Sequence, residues 1–154
     1  MKKDLIIGFI VAAVVGLVLN VENKISVVVF GMIASISPDV DFLVYWIRKK
    51  KIDQFAHEHR DLLHYPLWFP TIGGLLFWYI FGWVFGIVWF LVTMGHFIHD
   101  TGEGGYGIRW LYPFNKKYFL LKSITKEEQR KLAEEYGNPD WFKQSIPKFM
   151  KKLL

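Results

Sequence analysis

The chain has 154 residues and a mass of 18.1 kDa, room for one domain. Hydrophobic residues make up 53% and aromatics 18%, against 21% charged, which excludes a disordered chain and collagen-like repeats. The lack of cysteine excludes disulfides and thiolate-ligated zinc or iron–sulfur sites, and the net charge of +5 has to be explained by where the charges sit.

The first apolar run, Leu5 to Val21, follows Lys2, Lys3 and Asp4. A secretory signal peptide is the competing reading. Asp4 in the leading segment, and no small-x-small cleavage site around Val18-Leu19-Asn20, favour an uncleaved first helix. The second run, Ile25 to Ser37, continues past Pro38 into Phe42 to Ile47. Proline disfavours helix at the residue before it and suits a first helical turn, so a break near Ser37-Pro38 and a second helical piece reaching Arg48 are expected. Between Leu62 and Gly95 there is no Asp, Glu, Lys or Arg. That gap is too long for one span of about 20 residues and holds two short ones. They divide at Phe81-Gly82-Trp83, as about Leu63–Ile80 and Trp83–His99.

Charge placement sets the expected orientation. Lys2 and Lys3 precede the first helix, Arg48, Lys49, Lys50, Lys51 and Arg60 lie between the second and third, and Arg109, Lys116, Lys117 and Lys122 follow the fourth. The opposite loops hold only Lys24. Four spans with both termini in the cytoplasm satisfy the positive-inside rule at every loop. The net positive charge then reads as topology and attraction to lipid headgroups, and no nucleic-acid partner is expected.

After Phe114 the chain changes character. Thr125-Lys126-Glu127-Glu128 matches a capping box and opens a short helix to about Tyr136, which Gly137-Asn138-Pro139 stops. Trp141, Phe142, Ile146, Phe149 and Met150 alternate with lysines, which suits either a segment on the cytoplasmic membrane surface or a tail helix packed on the domain. The expected fold is all-α: an integral membrane bundle of about four transmembrane helices with a kinked second span. Residues 1–114 would form the transmembrane domain and 115–154 a cytoplasmic or interfacial helical tail.

All five histidines fall in two stretches, His57/His59/His64 and His96/His99. Asp39, Asp41 and Asp100 accompany them inside or beside apolar runs, and ionisable groups at membrane depth default to a functional reading. The expected topology brings all of them to one cytoplasmic edge from three separate pieces of chain. His96 and Asp100 are i, i+4 on a helix and share a face, with His99 beside them. Asp39 and Asp41 cannot share a helical face, but around a proline break both can turn to one place, or each can take its own ion. His59 and His64, five apart, need a loop-to-helix transition to converge. Singly, each feature has an ordinary reading as a helix cap, a helix start or an interfacial residue. Jointly they point to a metal site, and imidazole and carboxylate ligands without thiolates suit zinc first, with manganese or iron as alternatives. Arg60 either clamps an anionic group or is a topogenic charge. The Gly102 to Gly107 stretch follows a helix, so it is a loop and no dinucleotide fingerprint. The many Trp and Phe side chains are expected to face lipid or anchor at the interface.

Pro38-Asp39-Val40-Asp41, His59-Arg60-x-x-x-His64, Gly95-His96-x-x-x-Asp100 and Trp110-Leu111-Tyr112-Pro113-Phe114, in this order, resemble the family of membrane-bound metal-dependent hydrolases, also described as LexA-binding and inner-membrane-associated. The resemblance covers about residues 1–114. It implies Asp39, Asp41, His59, His64, His96 and Asp100 as metal ligands. The chain departs from the pattern at several places: Asp4 stands near where the family often has an N-terminal histidine and would replace it, Phe42 follows the Pro-Asp-x-Asp segment, Leu63-His64-Tyr65 stands where the family has Thr-His-Ser, and His57 and His99 are additional.

The function expected from these features is metal-assisted hydrolysis of a phosphoester or lipid-like substrate at the cytoplasmic membrane interface. His57 or His99 would move protons and Arg60 would steady the anionic substrate. A metal-stabilised membrane scaffold or regulator without turnover is the alternative from another class. Ion transport is the third and weakest, since the middle of the third and fourth spans is polar only at Thr71 and Thr93. Oligomeric state and protein partners are not legible.

Overall fold

The computed structural model describes residues 2–49, 63–102, 108–117, 119 and 121. Five helices follow in order: α1 (Lys2–Val18), α2 (Lys24–Ser35), α3 (Val40–Lys49), α4 (Phe69–Phe81) and α5 (Trp83–Gly102). Among the described residues there is no strand beyond an isolated antiparallel bridge between Ile108 and Phe119. The expected tail helix, His57, His59 and Arg60, and residues 103–107 of the glycine-rich stretch lie outside the described residues.

Two antiparallel helix hairpins make the bundle, α1 with α2 and α4 with α5, and α5 also packs on both α1 and α2. Each hairpin is closed by a residue in the left-handed region. Asn20 (φ 47°) turns the chain after α1, and Asn23 then caps α2 by accepting a 3.1 Å hydrogen bond from Ser26 N. Gly82 (φ 98°) is the single residue between α4 and α5, a conformation that glycine adopts at little cost. The first hairpin is close because both helices present glycine at the crossing. A Cβ on Gly8 would stand 2.6 Å from the carbonyl oxygen of Gly31, and backbone cannot yield there. The core between the hairpins is Ala12, Val15, Val27, Ala34, Val88, Trp89 and Val92, with the Trp89 ring stacked on Phe77 at 4.5 Å.

The break expected at Ser37-Pro38 is present. From Ile36 to Phe42 the backbone amides turn to carbonyls three residues back: Ser37 to Ala34, Asp39 to Ile36, Val40 to Ser37 and Phe42 to Asp39. This tight winding separates α2 from α3 and swings Asp39 and Asp41 out of helical register. The third apolar run becomes helical later than expected. Residues 63–68 form turns, and α4 begins at Phe69 with Pro70 in its first turn, where a missing amide costs nothing.

Outward-facing positions are apolar. Ile6, Ile10, Ile33, Ile72, Trp78 and Tyr79 are each more than half exposed, a surface that water would not tolerate over such an area. One described helix, α5, has both the length and the composition to cross a bilayer. Its 20 residues reach about 30 Å, the thickness of the hydrocarbon core. The apolar helices α2 and α4, with 12 and 13 residues, reach about 18–20 Å.

The hairpin crossing gives a paired test. Gly8→Ala should cost about 1–3 kcal/mol through overpacking, whereas Gly16→Ala, whose Cβ would meet nothing nearer than 3.9 Å, should be neutral or stabilising. Thermal unfolding midpoints in detergent compare the two, and equal midpoints would contradict the close approach.

Candidate metal centre

The buried stripe of α5 runs from the apolar core straight into a polar cluster. Trp89, Val92, Thr93, His96, Phe97 and Asp100 follow one another at three- and four-residue steps, all buried. The lower part of the stripe is closed by Thr93 and Thr101, whose hydroxyls donate to the carbonyls of Trp89 and Phe97. The last two turns carry the chemistry.

Nε2 of His96 stands 3.5 Å from Oδ2 of Asp100 and 3.7 Å from Oδ1 of Asp39. His64, from the turns ahead of α4, brings its own Nε2 to 3.6 Å from the same Asp100 oxygen and 3.9 Å from the same Asp39 oxygen. The two imidazole centroids are 5.6 Å apart. Each Nε2 therefore lies within 3.9 Å of both carboxylates, which come from the break after α2 and from α5. Two overlapping sets of donors are close enough to hold an ion, Asp39 with His64 and His96, and Asp4 with His96 and Asp100. Donor atoms around a four-coordinate zinc, with bonds of about 2.0–2.2 Å, stand about 3.3–3.6 Å from one another. The cluster sits at that spacing or slightly wider, so its donor set fits a divalent cation.

A second feature argues the same way. The His96 ring is 1% exposed, and neither of its nitrogens makes a hydrogen bond among the described residues. An imidazole buried in this state bears a desolvation cost of about 1–3 kcal/mol that a cation on Nε2 would remove.

Behind each imidazole stands another carboxylate. Oδ2 of Asp41 is 2.7 Å from Nδ1 of His64, and both side chains are buried. Oδ1 of Asp4, at the start of α1, is 3.3 Å from Nδ1 of His96 and 3.1 Å from Nδ1 of His99. Metal-bound imidazoles are commonly held this way, because a carboxylate on one ring nitrogen fixes the tautomer and the ring plane.

The structure thus brings together Asp39, His64, His96 and Asp100 of the expected ligands. Asp41 joins them through the far nitrogen of His64 and does not face the shared point. Asp39 and Asp41, which no helical face could unite, grip opposite nitrogens of one ring. His99 is 18% exposed, bonded to Asp4 and 3.9 Å from Oδ1 of Asp100. His57, His59 and Arg60 lie outside the described residues.

Several aromatic side chains to which the sequence assigns no role at the site support the cluster. Tyr65, next to His64, stacks on Tyr112 at 4.3 Å, and Trp68 Nε1 donates to the Tyr112 carbonyl at 2.8 Å. Trp110 Nε1 donates to the Thr101 hydroxyl, beside Asp100. The aromatic segment after α5 therefore clasps two of the pieces that form the cluster. Its signal in the sequence was the tryptophan/proline segment itself, whose partners are distant in the chain.

Fold and cluster together define an all-helical chain with an apolar outer surface and a buried histidine–aspartate centre at one end of the bundle. Over residues 1–134 the chain matches the family described as YdjM inner membrane protein, and it belongs to that family. The description names a membrane and no reaction. No curated protein and no solved structure shows significant similarity to the chain.

Removing the Asp41 carboxylate takes away the 2.7 Å partner of a buried imidazole nitrogen, with or without a metal. Asp41→Ala should lower the stability of chelator-treated protein by about 1–3 kcal/mol, and Asp41→Asn, which keeps an acceptor, by less. Thermal unfolding in detergent measures both, and an unchanged midpoint for Asp41→Ala would mean that the contact is dispensable.

Proposed function

We propose that this inner-membrane protein holds a divalent metal ion at its histidine–aspartate centre and hydrolyses a phosphoester or lipid-like substrate at the cytoplasmic face. The observation that carries the proposal is the convergence of two imidazole Nε2 atoms and two carboxylates from three separate pieces of chain, each Nε2 lying 3.5–3.9 Å from both carboxylates. Zinc is the first candidate, manganese or iron the alternatives. Bound there, the ion would lower the pKa of a water ligand and polarise an ester or phosphoryl oxygen.

The protein's own groups then have separate duties. His64, His96, Asp39 and Asp100 hold the charge. Asp41 orients His64. His99, whose Nδ1 is 3.9 Å from Asp100 and whose ring is partly open to solvent, is placed to move a proton. His57 is the other candidate for that duty, His59 a further ligand and Arg60 an anion clamp. Asp39 is the most open of the four holding groups, with its side chain 27% exposed, so a substrate would approach from that side. Four spans with both termini in the cytoplasm satisfy the positive-inside rule and would put the centre at headgroup depth.

A second reading has one observation in its favour. Four protein donors suffice to close a tetrahedral zinc site, and a closed site is structural. An ion that prefers six ligands keeps positions for water and substrate on the same four groups. The non-catalytic scaffold therefore goes with a closed tetrahedral site, and the hydrolase with a coordination sphere, of zinc or another metal, that expands to admit water.

Elemental mass spectrometry of detergent-purified protein, beside an Asp39→Ala/His96→Ala double variant, tests the metal. Stoichiometric metal in the wild type and its loss in the variant are expected. No metal in the wild type, even after adding back zinc and manganese, would break the proposal. Bound metal with no turnover of any phosphoester or lipid ester would leave the scaffold reading.

A further inference from the structure

Asp4 is an acid in the first turn of an otherwise apolar helix, and a lone acid there is ordinarily a solvated group that favours the helix dipole. Here it is 2% exposed, turned inward, with Oδ1 at 3.3 Å from Nδ1 of His96 and 3.1 Å from Nδ1 of His99. We propose that Asp4 is a positioning residue for the centre, fixing His96 with its proton on Nδ1 and its lone pair on Nε2. The inference rests on the metal reading for its purpose, but its first test does not need a metal.

The chemistry is that of an acceptor-only group. An ionised carboxylate accepts hydrogen bonds and donates none, so the imidazole nitrogen facing it is best satisfied as N–H. A neutral imidazole has one such nitrogen, and fixing it at Nδ1 leaves Nε2 bare. Nε2 also faces carboxylates, Asp39 and Asp100, but at 3.7 and 3.5 Å against 3.3 Å for Asp4 on Nδ1, so the proton is better held at Nδ1. Asp41 stands in the same relation to His64, at 2.7 Å. Each imidazole at the centre therefore has a carboxylate behind it, one from α3 and one from α1.

The contact also makes α1 part of the centre. α1 and α5 approach closely one residue before His96, where a Cβ on Gly95 would lie 2.9 Å from Cγ2 of Ile7. That approach seats Asp4 against the imidazoles of α5 from the opposite side to Asp39. Docking of the first helix then completes a site whose other residues all come from later in the chain.

Two measurements decide this. In metal-free wild-type protein labelled with ¹⁵N-histidine, at a pH where the imidazoles are neutral, the nitrogen shifts of His96 should report a protonated Nδ1 and a bare Nε2. A protonated Nε2 would overturn the proposal. In chelator competition with zinc, Asp4→Asn should bind 10–100-fold more weakly than wild type, about the effect of losing such an outer partner, and Asp4→Glu should recover part of the loss. Equal affinity for Asp4→Asn and wild type would also overturn it. Failure of the wild type to take up zinc or manganese would count against the proposed function instead, and the tautomer would still judge Asp4. Because the tautomer is read on the wild type, a variant that does not fold leaves the test intact.

Discussion

Asp4, Asp39, Asp41 and Asp100 meet three imidazoles at the end of an apolar bundle, and the arrangement is stable only if that charge is balanced where it lies. Taking a carboxylate out of water costs several kcal/mol after relaxation, so each one needs a hydrogen bond, a proton or a cation. Asp41 and Asp4 find imidazole Nδ1 atoms. Asp39 and Asp100 each lie 3.5–3.9 Å from the Nε2 atoms of His64 and His96. A divalent cation there would turn these four nitrogen–oxygen contacts into pairs of ligands on one ion. The same ion would give the buried His96 Nε2 the partner it lacks among the described residues.

The rest of the fold serves this constraint. The centre needs backbone that leaves helical register in two places, once after α2 and once before α4, since helix faces alone cannot bring Asp39 and Asp41 to one ring. Pro38 and the turns at 63–68 provide those departures. Rigidity comes from elsewhere: glycine-mediated closeness of α1 and α2, the Trp89 and Phe77 stack, and the Tyr65, Trp68, Trp110 and Tyr112 clasp. An outer surface of isoleucine, tryptophan and tyrosine leaves lipid as the natural surroundings, in keeping with the inner-membrane family.

Much of this was legible in the sequence because it is local. The α2–α3 break followed from Pro38, the α4–α5 turn from Gly82, and the shared face of His96 and Asp100 from their four-residue spacing. What was not legible depends on contacts across the chain. Asp41 and Asp39 look like equivalent ligands two residues apart, and only the position of His64 separates a group on Nδ1 from one facing Nε2. Asp4 is 95 residues from its partner His99, and nothing near it in sequence indicates that it turns inward. Periodicity cannot show that Trp110 and Tyr112 fold back on the cluster, since an aromatic at a membrane interface has the same composition signal in either role. Span number is the remaining gap: hydropathy divides the chain into four apolar runs, while among the described residues α5 alone is long enough by itself.

The central claim is that two imidazoles and two carboxylates of this chain surround one metal ion. X-ray absorption spectroscopy of zinc-loaded protein in detergent tests it most directly, because imidazole rings give an outer-shell scattering pattern that carboxylates and water do not. The account predicts two imidazole nitrogens with oxygen neighbours completing the shell, and one imidazole fewer in His64→Ala. A shell of oxygens alone, with no imidazole signature, would contradict it.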